Sequence, residues 1–253
     1  MSTLLLRLAG PLQSWGDDSK FKTRRTYSVP TKSGVVGMLA AALGLPRTAD
    51  QDIQHLSESL KMGIRVDQPG EIIEDYHVMI KPHAKTRNVS NVTRRLMNLE
   101  STTKTKKVTD VSKREYLSDA IFTVGLESKD INLLKRLDYA LHHPVYPLFL
   151  GRRACPPTLP LALGIRNTAL VPSLQNEPWQ AADWRQKQLD SDLRLVVETS
   201  NPGSHPFYRL KDVPLSYSPI HRRYAYRCAA EWDSVQIKND PIETEHDAFS
   251  ELR

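Results

Sequence analysis

The sequence of 253 residues predicts an α+β fold, an antiparallel sheet with helices packed on it. Three observations lead there. Short apolar runs, several of them alternating, recur as strands. Two longer segments repeat apolar residues at helical spacing and end at Gly or Pro. The order through residue 166 is strand, helix, strand, strand, excursion, strand, helix, strand. That order matches a ferredoxin-like βαββαβ core.

The elements justify themselves in turn. Residues 3–8 form a leucine-rich run that reads as a buried strand, stopped by Gly10-Pro11. Residues 12–30 are polar and basic and read as a loop. From Thr31 the positions Val35, Val36, Leu39, Ala40 and Leu43 share a helical face, and Gly44 with Pro46 ends the helix. Residues 61–67 set Met62, Ile64 and Val66 against Gly63, Arg65 and Asp67, the pattern of a half-buried strand. A Pro-Gly turn at 69–70 leads into a strand over 72–80.

Residues 81–114 are polar and rich in Thr, Ser, Asn, Lys and Arg, so no core is built from them. They read as an extended hairpin or open excursion. Tyr116, Ser118, Ala120, Phe122, Val124 and Leu126 then fall on one face of a strand over 116–126. Asp130 caps a helix carrying Leu133, Leu134, Leu137 and Leu141 that ends before Pro144. A Pro-rich loop, 146–160, precedes a strand at 161–166. Beyond 170 strands are expected at 193–198 and 222–232. The resulting division is a core over 1–170 with the excursion at about 81–114, a β-rich extension over 171–237, and a polar, acidic, mobile tail over 238–253.

Charge narrows the function. The chain carries a net +6 and a pI near 9.3, which favours anionic partners, nucleic acid first among them. The excess is local. Segment 81–114 holds ten basic residues against Glu100 and Asp110, and residues 1–47 hold seven against Asp17 and Asp18. These two stretches exceed the total, so the remainder is net acidic. Concentrated positive charge on a long hairpin suits contact with successive phosphates, each of which releases counterions on binding. The turn Pro30-Thr31-Lys32-Ser33-Gly34 opens a helix, where unpaired N–H groups and Lys32 suit a phosphate. Gly151-Arg152-Arg153 lies in a Gly/Pro-bounded loop whose arginines can pair with phosphates or stack on bases.

Other classes find less support. Cys155 and Cys228 form neither a disulfide framework nor a zinc motif and read as reduced thiols. The apolar run before Arg7 is too short for a signal peptide, and no run approaches a membrane span. A cytoplasmic location is expected. No metal-ligand spacing and no nucleophile elbow occur, so no cofactor, metal or catalytic residue is expected. Tyr76, His77, Lys81 and His83 are the candidates for metal-independent RNA cleavage, but Tyr76 and His77 point to opposite faces of a strand. No recognition-helix pattern supports a duplex-DNA binder.

Four blocks carry a family resemblance. They are Leu6-Arg7-Leu8-Ala9-Gly10-Pro11-Leu12-Gln13-Ser14-Trp15-Gly16; Pro30-Thr31-Lys32-Ser33-Gly34 with Val35-Val36-Gly37; Arg114-Glu115-Tyr116-Leu117 with Asp119-Ala120; and the run from Tyr146-Pro147-Leu148-Phe149-Leu150-Gly151 through Arg152-Arg153-Ala154-Cys155-Pro156-Pro157. In this order over residues 4–165 they resemble the CasD-type subunit of type I-E Cascade, the CRISPR RNA-guided surveillance complex. The resemblance implies a ferredoxin-like, RRM-like core, a Gly-rich loop at 150–157 and a long β-hairpin thumb at 81–114. It also implies a non-catalytic subunit that caps the 5′ handle of the CRISPR RNA. Its neighbours would be a CasC-type backbone subunit and a CasA-type large subunit, with target DNA reached only through the complex. Relatives in another subtype cleave the precursor RNA, which keeps the endoribonuclease as the alternative. The residues expected to meet RNA are Arg24, Arg25, Lys32, Ser33, Gly34, Arg94, Arg95, Lys104, Lys106, Lys107, Arg114, Gly151, Arg152 and Arg153.

Overall fold

The computed structural model describes residues 1–16, 22–82, 107–189, 192–201, 205–218 and 222–236. The chain's first strand, β1 (Ser2–Ala9), sits inside the main sheet. Leu4, Leu6 and Leu8 point to one face and Leu5 to the other, all fully buried. A continuous leucine run is what an interior strand covered on both sides requires. Four two-residue strands follow where a loop was expected: β2 (Leu12–Gln13), β3 (Trp15–Gly16), β4 (Thr23–Arg24) and β5 (Thr26–Tyr27). Next come helices α1 (Lys32–Ala42) and α2 (Asp50–Glu58), then strands β6 (Lys61–Gln68) and β7 (Glu71–Pro82). After these lie β8 (Lys107–Ser118), β9 (Ile121–Ser128), α3 (Ile131–His142) and β10 (Ala162–Arg166). The chain continues through α4 (Leu170–Asn176), α5 (Asp183–Gln186), β11 (Asp192–Glu198), β12 (Phe207–Ser216) and β13 (Arg223–Gln236).

Seven strands form the main sheet in the order β10-β1-β9-β6-β11-β13-β12, each pair antiparallel. Within it β1, β6, β9 and β10, numbered first to fourth along the chain, stand in the spatial order fourth, first, third, second. Helix α1 connects the first strand toward the second, and α3 joins the third to the fourth. Helices α1, α2 and α3 share one large core with one face of the sheet. Asp130 caps α3 as expected, accepting from the N–H groups of Asn132 (2.9 Å) and Leu133 (3.1 Å). The smaller α4 covers the other face through Leu170 and Leu174.

Several expectations are corrected. The strand expected over 116–126 is two strands in different sheets. Asp119, at φ 56°, breaks it. β8 pairs along its whole length with β7, from Glu71↔Ser118 to Pro82↔Lys107, so the hairpin begins at Glu71 rather than at 81. Its remainder, 83–106, lies outside the described residues, as does the tail 238–253. β6 is buried on both faces rather than half-buried, because α4 covers its Gly63, Arg65 and Asp67 side. Helix α2 escaped notice because Ile53 and Leu56 are its only large apolar residues. β12 contains Pro214, which a strand tolerates at the sheet edge that β12 occupies.

The polar side of β6 is held by an ion pair. The Arg65 and Asp67 side chains are both 0% exposed, with Nη2 2.7 Å from Oδ1. The Arg65 guanidinium also donates to the carbonyls of Leu174 (2.6 Å), Glu177 (2.5 Å) and Pro178 (2.8 Å). Asp67 accepts from the Thr123 hydroxyl at 2.6 Å and from the Gln180 N–H at 3.1 Å. A buried charge needs such saturation, because each lone pair or proton left unmatched costs its full desolvation.

Asp67→Ala would strand the Arg65 cation inside the protein. Chemical denaturation is expected to show a loss of about 3–5 kcal/mol. A loss below about 1 kcal/mol, the range of an exposed pair, would contradict the arrangement.

Candidate nucleic-acid interface

The glycine loop is built by close backbone approaches. A Cβ on Gly151 would lie 1.8 Å from the Ser14 carbonyl oxygen, at φ +86°. A Cβ on Gly10 would lie 2.8 Å from the Pro156 oxygen. The loop therefore lies against the chain leaving β1. The Ser14 N–H donates to the Leu150 oxygen at 3.1 Å, and the Leu150 N–H to the Cys155 oxygen at 2.8 Å. Leu150 and Cys155 are buried anchors, and burial pushes the Cys155 thiol up from its ordinary pKa. Residues between them project as a tight turn.

The two arginines of that turn part company. Arg152 turns back onto the hairpin base. Its guanidinium lies 4.8 Å over the Tyr116 ring. It donates to the Glu115 and Arg24 carbonyls, each at 3.0 Å. Arg153 is exposed and lines a cleft.

The start of α1 forms one wall of that cleft. Thr31 caps the helix, accepting from the Gly34 N–H at 3.2 Å. Gly34 has no room for a side chain, because a Cβ would lie 2.8 Å from the Trp15 ring. The helix start expected to meet a phosphate has protein partners at Lys32. The Lys32 N–H already donates to Asp212 at 2.8 Å. The Lys32 ammonium is buried, donating to Glu198 at 2.8 and 2.9 Å and to the Leu60 oxygen at 2.9 Å. A carboxylate thus occupies the anion position of the helix start, and the Lys32 ammonium is engaged by Glu198.

The cleft has a volume of about 710 Å³, within the range in which proteins enclose a drug-sized ligand such as a mononucleotide. It lies between α1, the Gly151 loop and the β12–β13 hairpin. Its cations are Arg47, Arg153, Lys211 and Arg222, and its rings are Tyr146, Phe149, Tyr217 and Tyr224. Among the described residues no carboxylate lines it. Tyr217 donates to the Ser33 carbonyl oxygen. Burial pushes its phenol far above the ordinary tyrosine range. Positive charge beside aromatic faces is the composition that holds phosphates and stacked bases.

The expected residues fall into groups. Ser33, Gly34, Gly151 and Arg153 meet at this cleft. Arg24, Arg25, Arg114 and Arg152 gather at the hairpin base, where β4 runs parallel to β8 with Arg24 opposite Arg114. Arg114 Nε is buried there without a hydrogen-bond partner. Lys107 is described in its main chain alone, opposite Pro82. Arg94, Arg95, Lys104 and Lys106 lie outside the described residues. The sequence reading missed Arg47, Lys211, Tyr217, Arg222 and Tyr224. The signal that was available for the last part is the run Arg222-Arg223-Tyr224-Ala225-Tyr226-Arg227, basic and aromatic residues interleaved on a strand.

The two cleavage candidates whose side chains are described, Tyr76 and His77, do not come together. Tyr76 and His77 are successive residues of β7 and face opposite ways. His77 Nε2 lies 2.6 Å from Asp75 on its own strand. Lys113, opposite Tyr76, donates to Glu74 at 2.8 Å. His83 lies outside the described residues. No group of three His, Cys, Asp or Glu residues poised for a metal occurs among the described residues.

Comparison with known proteins gives four findings. Residues 3–229 match the family model described as "CRISPR-associated protein (Cas_Cas5)". The chain is 34% identical over 233 residues to the "CRISPR system Cascade subunit CasD" of Escherichia coli strain K12, covering 91% of this chain and 94% of that protein. It is similar to a solved chain of a "CRISPR RNA-guided surveillance complex" with TM-score 0.66 and 31% identity, covering 92% of this chain and 90% of the other. A solved Cas protein matches with TM-score 0.62 and 32% identity, covering 92% and 95%. The family match runs well past residue 165, through β12 and into β13.

Gly151→Ala forces backbone against backbone in a left-handed conformation. A loss of about 2 kcal/mol or more is expected in urea unfolding. Gly16→Ala, whose Cβ meets nothing within 4 Å, is expected to stay within about 0.5 kcal/mol of the parent. Equal effects would contradict the loop geometry.

Proposed function

The chain belongs to the CRISPR-associated Cas5 family, and on that premise we propose that it is the non-catalytic Cascade subunit that binds and caps the 5′ handle of the CRISPR RNA. The observation that carries this reading is the cleft of cations and aromatic rings beside the Gly151 loop, lined by no carboxylate among the described residues. The fourth-first-third-second strand order supports a ferredoxin-like core within the mixed α/β fold. The β7–β8 hairpin supports a thumb whose strands are 71–82 and 107–118. RNA enters the cleft along Ser33, Gly34, Gly151 and Arg153. Arg24, Arg25 and Arg114 meet it at the hairpin base, and Arg94, Arg95, Lys104, Lys106 and Lys107 meet it along the thumb. Arg152 braces the loop. The net acidic remainder faces protein neighbours, a CasC-type backbone subunit and a CasA-type large subunit. No described helix is long and apolar enough to cross a membrane, and the assembly acts in the cytoplasm.

Fluorescence anisotropy with handle RNA tests the cleft. Arg153→Ala and Arg222→Ala are each expected to weaken binding and to reduce the salt slope by about 1, the loss of one phosphate contact. Unchanged slopes for both would remove the cleft from the RNA path. Neutralising Lys104, Lys106 and Lys107 together is expected to weaken assembly of the complex. For the endoribonuclease alternative, labelled repeat RNA incubated with the protein in EDTA is expected to stay intact. Cleavage at one position that is lost in His77→Ala would overturn the non-catalytic reading.

A further inference from the structure

The glycine loop is closed by its own backbone, and the Arg152 side chain reaches beyond it. The Leu150 N–H donates to the Cys155 oxygen at 2.8 Å, and the Cys155 N–H to the Arg152 oxygen at 2.9 Å. With Leu150 and Cys155 buried, the turn has anchors of its own. The Arg152 guanidinium instead joins the loop to two strands of the hairpin base. Its Nη1 donates to the Glu115 carbonyl oxygen on β8, and its Nη2 to the Arg24 carbonyl oxygen on β4. It also lies over the ring of Tyr116, which is buried. The same Glu115 oxygen accepts from the Ser14 hydroxyl at 3.2 Å, and the Glu115 carboxylate accepts from the Thr26 N–H at 3.2 Å. The hairpin base, the segment leaving β1 and the glycine loop therefore meet at Glu115 and Tyr116.

We propose that Arg152 is a positioning residue for RNA binding. It fixes the loop that carries Arg153 against the hairpin base that carries Arg24 and Arg114, so that one RNA strand meets both at a set spacing. The proposal rests on the reading that the cleft and the hairpin base both contact RNA. Two observations carry it. Arg152 and Arg153 are adjacent in the chain, yet the first is committed to carbonyls and a ring while the second is exposed at the cleft. Holding the first sets where the second starts. Arg24 and Arg114 stand opposite each other on paired strands, and Arg152 bonds at Arg24 itself and at the residue after Arg114. A guanidinium is a rigid planar fork that bonds two carbonyls and stacks at once, whereas an ammonium is a point donor with no plane. Two binding surfaces held at a fixed spacing act as one bivalent site, because the second contact forms at a high effective concentration. Surfaces free to shift lose that gain while each keeps its own affinity.

The test measures the full chain with two unstructured RNAs, about 4 and about 16 nucleotides long, the span of site sizes seen for single-strand binding modules. Arg152→Ala and Arg152→Lys are each expected to lose about tenfold or more in affinity for the long RNA. Both are expected to bind the short RNA as the parent does. A variant that only folded less well would lose both lengths in proportion, so the long-to-short ratio reads positioning alone. An unchanged ratio in both variants overturns the proposal. So does parent-like binding by Arg152→Lys beside a loss in Arg152→Ala, which makes Arg152 a direct charge contact. Amide hydrogen exchange gives a readout without RNA. Both variants are expected to exchange faster in β4 and over residues 113–116 with β1 unchanged, and unchanged exchange at the hairpin base overturns the brace. The reading beneath is tested separately: if Arg153→Ala and Arg24→Ala still weaken long-RNA binding, the two contacts stand whatever Arg152 does. If neither weakens it, the RNA reading of both surfaces falls and the proposal falls with it.

Discussion

The cleft depends on one buried charge network, the join between the start of α1 and the C-terminal strands. Lys32 reaches Glu198 on β11, and the Lys32 N–H reaches Asp212 on β12. Asp212 in turn binds Arg227 on β13. Glu198 also accepts from the Met62 N–H of β6 at 3.1 Å. Five elements, α1, β6, β11, β12 and β13, meet at these two carboxylates. Buried pairs of this kind are weak contributors to net stability, because desolvation offsets their attraction. Their effect is geometric: any other docking of the hairpin would leave a charge unmatched in the interior. The α1 terminus and the β12–β13 hairpin are thereby held as facing walls, with Gly151 and Arg153 closing the end.

The same network sets the electrostatics of the site. A helix start attracts anions, and here Asp212 already satisfies it from below. In the proposed function, phosphate contacts therefore fall to the exposed guanidiniums of Arg47, Arg153 and Arg222 rather than to the helix start.

How much of this was legible in the sequence follows from the range of each interaction. The leucine run of β1, the Asp130 cap and the helices beginning at Thr31 and Asp130 are set by neighbours a few residues away, and all were readable. The chain succession of β1, α1, β6, β7, α3 and β10 was readable, where periodicity is strong. The family blocks marked Gly10, Gly34 and Gly151, glycines whose missing side chains admit Pro156, Trp15 and Ser14. The reading failed where pattern and environment part. Gly63, Arg65 and Asp67 look like a solvent face until α4 covers them, and residues 116–126 alternate smoothly across a break at Asp119. Lys32 looks like a phosphate ligand in a helix-opening turn, yet its partners lie on strands that follow more than a hundred residues later.

The sequence alone was enough for the fold class, the local capping and turn chemistry, the location of the positive charge and the family. These rest on period, composition and short motifs, which act over one or two turns of chain. The assignment of arginines and lysines to the cleft, to a ring or to a buried carboxylate belonged to the folded chain. Side chains with the same charge and similar flanks differ only in what the fold brings opposite them. Arg152 met carbonyls, Arg153 met the cleft, and Lys32 met Glu198, because long-range packing sets the partner of a charge and local sequence does not encode it.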